Sequence, residues 1–197
     1  VKPDDPVWLE EASLARRAVE DRLYFAALYD RYFGRVYNYM RFRCNDPQVA
    51  DDLTAQVFEK VLKEIWSYRP ERAPFAVWLF TIARNVHTDY LRAKRRAVWL
   101  PLELLNRFSG NHRSPEEDLV EFETRHELLQ ALASLDERER ELLALKFQAG
   151  LNNRQIAELT HLSESNVGVI LYRSIHRLRA VLKSGAEFEG EANYERA

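Results

Sequence analysis

Apolar residues recur at helical spacing along nearly the whole chain, and the polar positions between them sort onto separate faces. Phe25, Leu28, Tyr29, Tyr32, Phe33, Val36, Tyr37 and Met40 fall three and one apart, which predicts a strongly amphipathic helix. Ala50, Leu53, Val57, Val61, Leu62 and Ile65 predict a second, with Asp51, Asp52, Gln56, Glu59 and Lys60 turned the other way. A loop containing Pro70 and Pro74 leads into a third, from Phe75 to Arg96. At about 100° per residue, its Phe75, Trp78, Leu79, Ile82, Val86 and Tyr90 share one face. Thr81, Arg84, Thr88 and Arg95 lie opposite, and Asn85, Asp89, Arg92 and Arg96 form a flank between. An apolar face with aromatics beside a basic, amide-bearing flank suits a surface that touches nucleic acid.

Glycine and proline are scarce and sit mostly at punctuation points, so the chain reads as all-α, with two small helical domains joined by a flexible linker. The first domain is expected at residues 20–96. The periodicity decays over 97–124, where Pro101, Gly110, Pro115 and several Asn and Ser residues mark a linker. Leu100–Phe108 is its one stretch suited to a short docking segment. A second helical domain is expected at 125–184, followed by an acidic, disordered tail at 185–197. Residues 1–19 form an N-terminal extension whose Trp8–Arg17 run reads as an extra helix packing on the first domain.

The chain of 197 residues carries 29 Lys and Arg against 31 Asp and Glu, a net charge of −2 that announces no nucleic-acid binder. The charges are segregated, however. Arg69, Arg72, Arg84, Arg92, Lys94, Arg95 and Arg96 meet only Glu71 and Asp89 in their stretch, whereas the segment after them is rich in glutamate. Cys44 is the single cysteine and reads as inert and partly buried, and the five histidines do not fall at ligand spacing. No acid–base pair, nucleophile arrangement or metal set is present in the pattern. The expectation is a protein that is not an enzyme and uses no cofactor, metal or small-molecule substrate. No apolar run nears the roughly 20 residues that span a bilayer, and the acidic N-terminus lacks the plan of a signal peptide. A reduced, cytoplasmic setting is expected.

Asn152 to Arg173 has the anatomy of a helix-turn-helix. Asn152 and Gln155 make a capping box, Ala157 is the small residue at the helix crossing, and His161 occupies the turn. Ser163 caps the second helix, which Val167 and Ile170 anchor. Turn positions of this kind favour glycine, and histidine is among the few other types that tolerate positive φ. Gly168 and Val169 stand where a basic or hydroxyl side chain is usual. Gly168 reads either as permitting close backbone approach or as drift. Candidate readers are therefore Arg154, Glu164, Ser165, Asn166, Tyr172 and Arg173. Asn166 suits adenine, Glu164 suits cytosine, and Arg173, Arg177 and Arg179 suit phosphates.

Together these segments resemble the extracytoplasmic-function sigma factors of the sigma-70 family, which carry a σ2 and a σ4 domain joined by a linker. Phe25–Phe33 looks like the opening σ2 helix, and Ala50–Phe58 is similar to the polymerase-binding helix. Trp78–Asn85 with Asp89–Arg92 looks like the promoter-melting and −10-reading helix. Leu135–Leu143 with the helix-turn-helix resembles σ4. The resemblance implies a dissociable subunit that directs core RNA polymerase to promoters, reading the −35 element as duplex and the −10 element as single strand. It implies that Asp51, Asp52, Leu53, Gln56, Phe58 and Glu59 dock on the coiled coil of the largest polymerase subunit and that σ4 meets the flap. Where the family has glutamine this chain has Ala55, with Gln56 beside it. An anti-sigma factor is a further family expectation.

The −10 site is expected to comprise Arg69, Arg72, Asn85, Asp89, Arg92, Lys94, Arg95 and Arg96. The flipped base would sit between the Arg69–Ala73 loop and the Asn85 flank, with Lys94, Arg95 and Arg96 on phosphates. Plainer readings stand beside these. Trp78 and Phe75 suit simple core, Asp89 and Arg92 suit an i,i+3 ion pair, and the three terminal cations suit a helix C-terminus. A dimeric helix-turn-helix regulator would account for the second domain but leave the Phe75–Arg96 helix unused. An adaptor that only binds an anti-sigma protein is the other alternative.

Overall fold

Side-chain caps set where the helices of the first half begin and end. The computed structural model describes residues 6–98, 132 and 134–194, and none of these lies in a strand. Helix α1 spans Pro6–Arg17. Helix α2, Arg22–Cys44, starts at Asp21, whose carboxylate accepts from the Leu23 amide at 2.9 Å. Asn45 stops it in the left-handed conformation at φ 53°, its amide donating to the Arg41 carbonyl. One residue later Asp46 caps helix α3, Pro47–Glu64, by accepting from Gln48 and Val49. Pro47 takes the first turn, where its missing N–H has no partner to lose. A short 3₁₀ turn, Ile65–Ser67, and a loop lead into helix α4, Phe75–Val98.

The core of this half is aromatic. Tyr32, Val36, Tyr39 and Met40 of α2 meet Val57 and Val61 of α3 and Phe75, Leu79, Phe80 and Val86 of α4, all buried. Tyr32 lies 5.4 Å from Phe75, and Tyr39 packs edge-on to Phe80 at 5.7 Å. Each such fully buried side chain contributes about 1.5–3 kcal/mol of transfer free energy. The inward stripe of α2 is narrower than its hydrophobic pattern, since Tyr29 and Phe33 stay 38% exposed. Helix α1 belongs to the same core. Ala12, Ala15 and Ala18 are buried, and the Tyr32 hydroxyl donates to the buried Glu11 carboxylate at 2.6 Å. The expected extra helix therefore exists and is built into the first domain.

In the second half, Asp136 and Glu139 form a reciprocal capping box at the start of helix α5, Glu137–Leu143. The chain then widens into a π-helical turn, Ala144–Gln148, which the hydrophobic pattern does not signal. Gly150, at φ +65°, redirects the backbone. Helix α6, Asn153–Thr160, begins with the expected capping box of Asn152 and Gln155. Helix α7 runs Glu164–Tyr194. Its length corrects the expectation of a disordered tail, because the backbone continues as helix from 185 to 194. Ala186, Glu187, Glu189, Glu191 and Ala192 are good helix formers, which offsets Gly185 and Gly190. The expected linker at 97–124 lies almost wholly outside the described residues.

The two halves pack on each other, α2 against the π-helical turn and α4 against α6. No helix among the described residues is long and apolar enough to cross a membrane.

Candidate nucleic-acid interface

Helix α4 has the three sides its spacing predicts. Phe75, Leu79, Ile82 and Val86 are buried, while Asn85, Asp89, Arg92, Lys94, Arg95 and Arg96 are exposed on the flank and terminal turns. Trp78 is half-buried against Tyr68 and Phe75 at 5.4 and 5.6 Å, so it serves as core. Asp89 lies 3.5 Å from Arg92 and 3.9 Å from Lys60 of α3. It thus makes the i,i+3 pair and also ties the flank to the neighbouring helix. Arg95 and Arg96 have no ion-pair partner among the described residues, and the Lys94 ammonium lies 5.9 Å from the Tyr90 ring.

The loop before α4 is braced by its own groups. The Arg69 guanidinium donates from one nitrogen to the Trp66 and Tyr68 carbonyls, at 2.8 and 3.0 Å, and the Tyr68 hydroxyl donates to Ala73 at 3.2 Å. Burial holds the Tyr68 phenol well above its usual range, so it stays a donor. Arg69 is therefore first a loop brace, whereas Arg72 is exposed. From the far side Arg16 of α1 reaches Glu71 at 2.7 Å. The Glu71 carboxyl is held below its usual value by its own backbone N–H and by Arg16.

Arg84, on the opposite side of α4, does not face solvent alone. Its Nε donates to Glu141 of α5 at 2.6 Å, and the pattern along α4 gives no hint of that long-range partner. His87 is buried beside Arg43, whose Nη2 approaches its Nδ1 at 3.4 Å. Desolvation, and secondarily the Arg43 charge, push the imidazole pKa down to about 4, so it is neutral near pH 7.

The helix-turn-helix forms as the sequence predicts. His161 closes α6 at φ 58°, with its amide on the Ala157 carbonyl. The Ser163 hydroxyl accepts from the Asn166 amide at 3.2 Å, and Val167 is buried. Arg154, Glu164, Ser165, Asn166, Tyr172 and Arg173 are exposed. Arg177 is exposed too but is paired with Glu139 at 2.8 Å. Gly168 lies within α7, and a methyl there would meet Asn153 Nδ2 at 3.7 Å, an ordinary contact. Packing within the described residues does not itself call for a glycine there.

On α3, Asp51, Asp52, Ala55, Gln56 and Glu59 form an exposed face. Glu59 accepts from Lys63 at 2.5 Å, a hydrogen bond that lowers its pKa. Leu53 and Phe58 are only 3% and 7% exposed, which corrects their expected role as docking contacts. At their positions along the helix they point to the core and can only shape the face from behind. The apolar surface beside this face comes instead from Tyr29, Phe33 and Leu62, with Tyr29 packed on Phe58 at 4.6 Å. The surplus of aromatics on α2 beyond one stripe is the signal for it. Cys44 is half-buried, and burial pushes its thiol up to about 11, which leaves it unreactive near neutral pH.

A formed helix-turn-helix in one half and a cationic, amide-bearing flank on an aromatic core in the other define the class: a helical DNA-binding protein in two parts. Comparison with known proteins sharpens this. Residues 28–97 match the family described as Sigma-70 region 2, and residues 125–178 match Sigma-70, region 4. The chain is 29% identical over 162 residues to the ECF RNA polymerase sigma factor BldN of Streptomyces coelicolor, covering 82% of this chain but 61% of that relative. It is 28% identical over 163 residues to the ECF RNA polymerase sigma factor SigM of Bacillus subtilis, covering 82% of this chain and 97% of SigM. Among solved structures, CnrH in complex with the cytosolic domain of CnrY has a similar fold, with a TM-score of 0.66 at 22% identity over 88% of this chain and 97% of that one. The sigma factor RpoE in complex with the anti-sigma factor NepR from Bartonella quintana gives 0.62 at 20% identity, over 81% and 96%. The chain belongs to the sigma-70 family, in its extracytoplasmic-function group.

Proposed function

We propose that this chain is a dissociable specificity subunit that directs core RNA polymerase to particular promoters. Its first half opens and reads the −10 element, and its second half reads the −35 element as duplex. The observation that carries this reading is the pairing, in one molecule, of the bare helix-turn-helix face with the exposed Asn85–Arg96 flank of α4. A base taken out of the duplex needs stacking and a partner for its edge. Asn85 offers both donor and acceptor, and the braced 69–73 loop offers a rigid wall with Arg72 at its rim. Lys94, Arg95 and Arg96 lie about two and a half to three turns further along α4, where they would take phosphates. On the −35 side, Asn166 and Glu164 would read base edges and Arg154 and Arg173 would hold backbone. Glu139 already occupies one side of Arg177, so its phosphate role is the weaker one.

Core polymerase would dock on the Asp51, Asp52, Gln56 and Glu59 face together with the Tyr29, Phe33 and Leu62 strip, and its flap would meet the second half. Catalysis would belong to the polymerase. An anti-sigma partner enters as a family expectation, supported by the complex in which RpoE was solved. The test is run-off transcription with core polymerase on a promoter library. Transcripts above core alone, lost with Asn85→Ala, are the expected result. No such transcripts, with tight operator binding by the free chain, would overturn the reading in favour of a helix-turn-helix regulator.

A further inference from the structure

The loop that precedes α4 is fixed at both ends by its own groups. Arg69 holds the Trp66 and Tyr68 carbonyls, and its own carbonyl accepts from the Arg72 and Ala73 amides at 3.0 and 3.4 Å. The Tyr68 hydroxyl closes the loop on the Ala73 carbonyl. The tip between these bonds is seated on α1 instead. Pro70 is buried and shares the walls of an open cleft of about 380 Å³ with Leu9, Ala12 and Ser13. Next to it, Glu71 accepts from Arg16 at 2.7 Å. Among the described residues this is the one side-chain hydrogen bond from Pro70, Glu71 or Arg72 to another element.

Helix α1 is a firm seat because its own anchorage is buried. Glu11 accepts from Tyr32 and lies 3.8 Å from Arg31, which also reaches Glu10 at 2.9 Å. Arg17 sits over the Tyr24 ring at 4.5 Å. Tyr32 packs on Phe75, and Phe75 meets Tyr68 edge-on at 5.3 Å. One aromatic column therefore underlies α1, the root of the loop and the first turn of α4. Burial first, and then the Glu11 charge, keep the Tyr68 phenol protonated and able to brace Ala73.

The Arg16–Glu71 pair does little for overall stability. Both side chains are 66% exposed, and an exposed pair shifts an equilibrium by no more than about fivefold. A shift of that size is small for folding but large for a loop that must meet one base. The tip carries Arg72 at the rim of the wall facing Asn85, so any time it spends displaced subtracts directly from base discrimination.

We propose that α1 is the rear support of the −10-reading loop and that Arg16 is a positioning residue, holding the Pro70–Arg72 tip through Glu71 where an unpaired base is read. This deepens the sigma-factor reading and rests on it. Helix α1 lies ahead of residues 28–97, so part of the discrimination comes from outside the matched region 2.

Two measurements test the support, with Arg16→Glu, Arg16→Lys and wild type compared after circular dichroism confirms equal helix content. In the free full-length chain, amide exchange at Arg72 and Ala73 is expected to quicken severalfold in Arg16→Glu while α2 and α3 keep their protection, and Arg16→Lys is expected to stay near wild type. In reconstituted holoenzyme, fork-junction probes carrying each of the four bases or an abasic site at the unpaired position report discrimination. The ratio between the favoured base and the abasic probe should fall up to about fivefold in Arg16→Glu and recover in Arg16→Lys. A merely structural role would weaken all probes alike and leave the ratio intact, which would overturn the proposal. Exchange and discrimination both unchanged in Arg16→Glu would overturn it too. A wild-type holoenzyme that binds every probe equally would instead sink the sigma-factor reading, and this role with it.

Discussion

Replacing Lys94, Arg95 and Arg96 together with alanine separates two roles for the end of α4. All three are exposed on its terminal turns. If they only complement the helix C-terminus, each contributes about 0.3–1 kcal/mol, and the loss appears as a small drop in stability. If they grip phosphates, each released counterion adds about 0.7 to the salt slope on single strands and about 0.9 on duplex. Three contacts make the logarithmic slope of binding against salt shallower by about 2 to 2.7. Between 50 and 200 mM salt the wild type should then lose roughly 20- to 40-fold more affinity than the variant. The assay is equilibrium binding of reconstituted holoenzyme to a fluorescent fork-junction promoter probe across a potassium chloride series. Weaker binding at low salt, converging with wild type at high salt, is the expected pattern. Parallel slopes would falsify the phosphate role, whatever happens to stability.

Three further outcomes follow from the geometry. Gly168→Ala should stabilise the second half by about 0.5–1 kcal/mol, since the helix gains propensity and the methyl finds ordinary contacts; a lower melting midpoint would contradict this. Tyr32→Phe should cost about 1–3 kcal/mol in urea unfolding by leaving the buried Glu11 carboxylate without its 2.6 Å donor, and an unchanged midpoint would refute it. His87, with its pKa lowered to about 4 from an ordinary 6.5, is protonated more readily in the unfolded chain. Its contribution is therefore full above about pH 6.5 and is lost as pH falls toward 4. His87→Gln should flatten that part of the stability–pH curve, and an unaltered curve would count against the assignment.

The helical order and the helix-turn-helix were legible because local signals fix them. The Asn152–Gln155 box, His161 and Ser163 each act within a few residues of themselves. The three faces of α4 were legible for the same reason, since a helix projects its spacing directly onto its surface. What local pattern could not give was partnership across the chain. Leu53 and Phe58 sit on a helix whose polar face is obvious, yet only packing against α2 decides that they point inward. Arg84 and Arg43 resemble ordinary surface cations until α5 arrives with Glu141 and Glu137. The π-helical turn was invisible because its widening depends on a bond reaching five residues back, from the Ala149 amide to the Ala144 carbonyl, which residue type does not signal. By residue type Arg69 is a ligand-facing cation, and its use as a brace depends on a loop conformation that residue type alone does not specify.

Helix α4 is a single uninterrupted element from Phe75 to Val98, so Asn85 and Arg96 are separated by a rigid rod. Eleven residues at 1.5 Å each set that separation at about 16 Å, close to five stacked nucleotides. The helix therefore works as a ruler with an angular phase as well as a length. One inserted residue between Asn85 and Lys94 would lengthen the rod by only about 1.5 Å but rotate the cationic end by about 100° relative to the amide. Tolerance to insertion along this helix is governed by phase, and seven residues would be accepted in direction more readily than one.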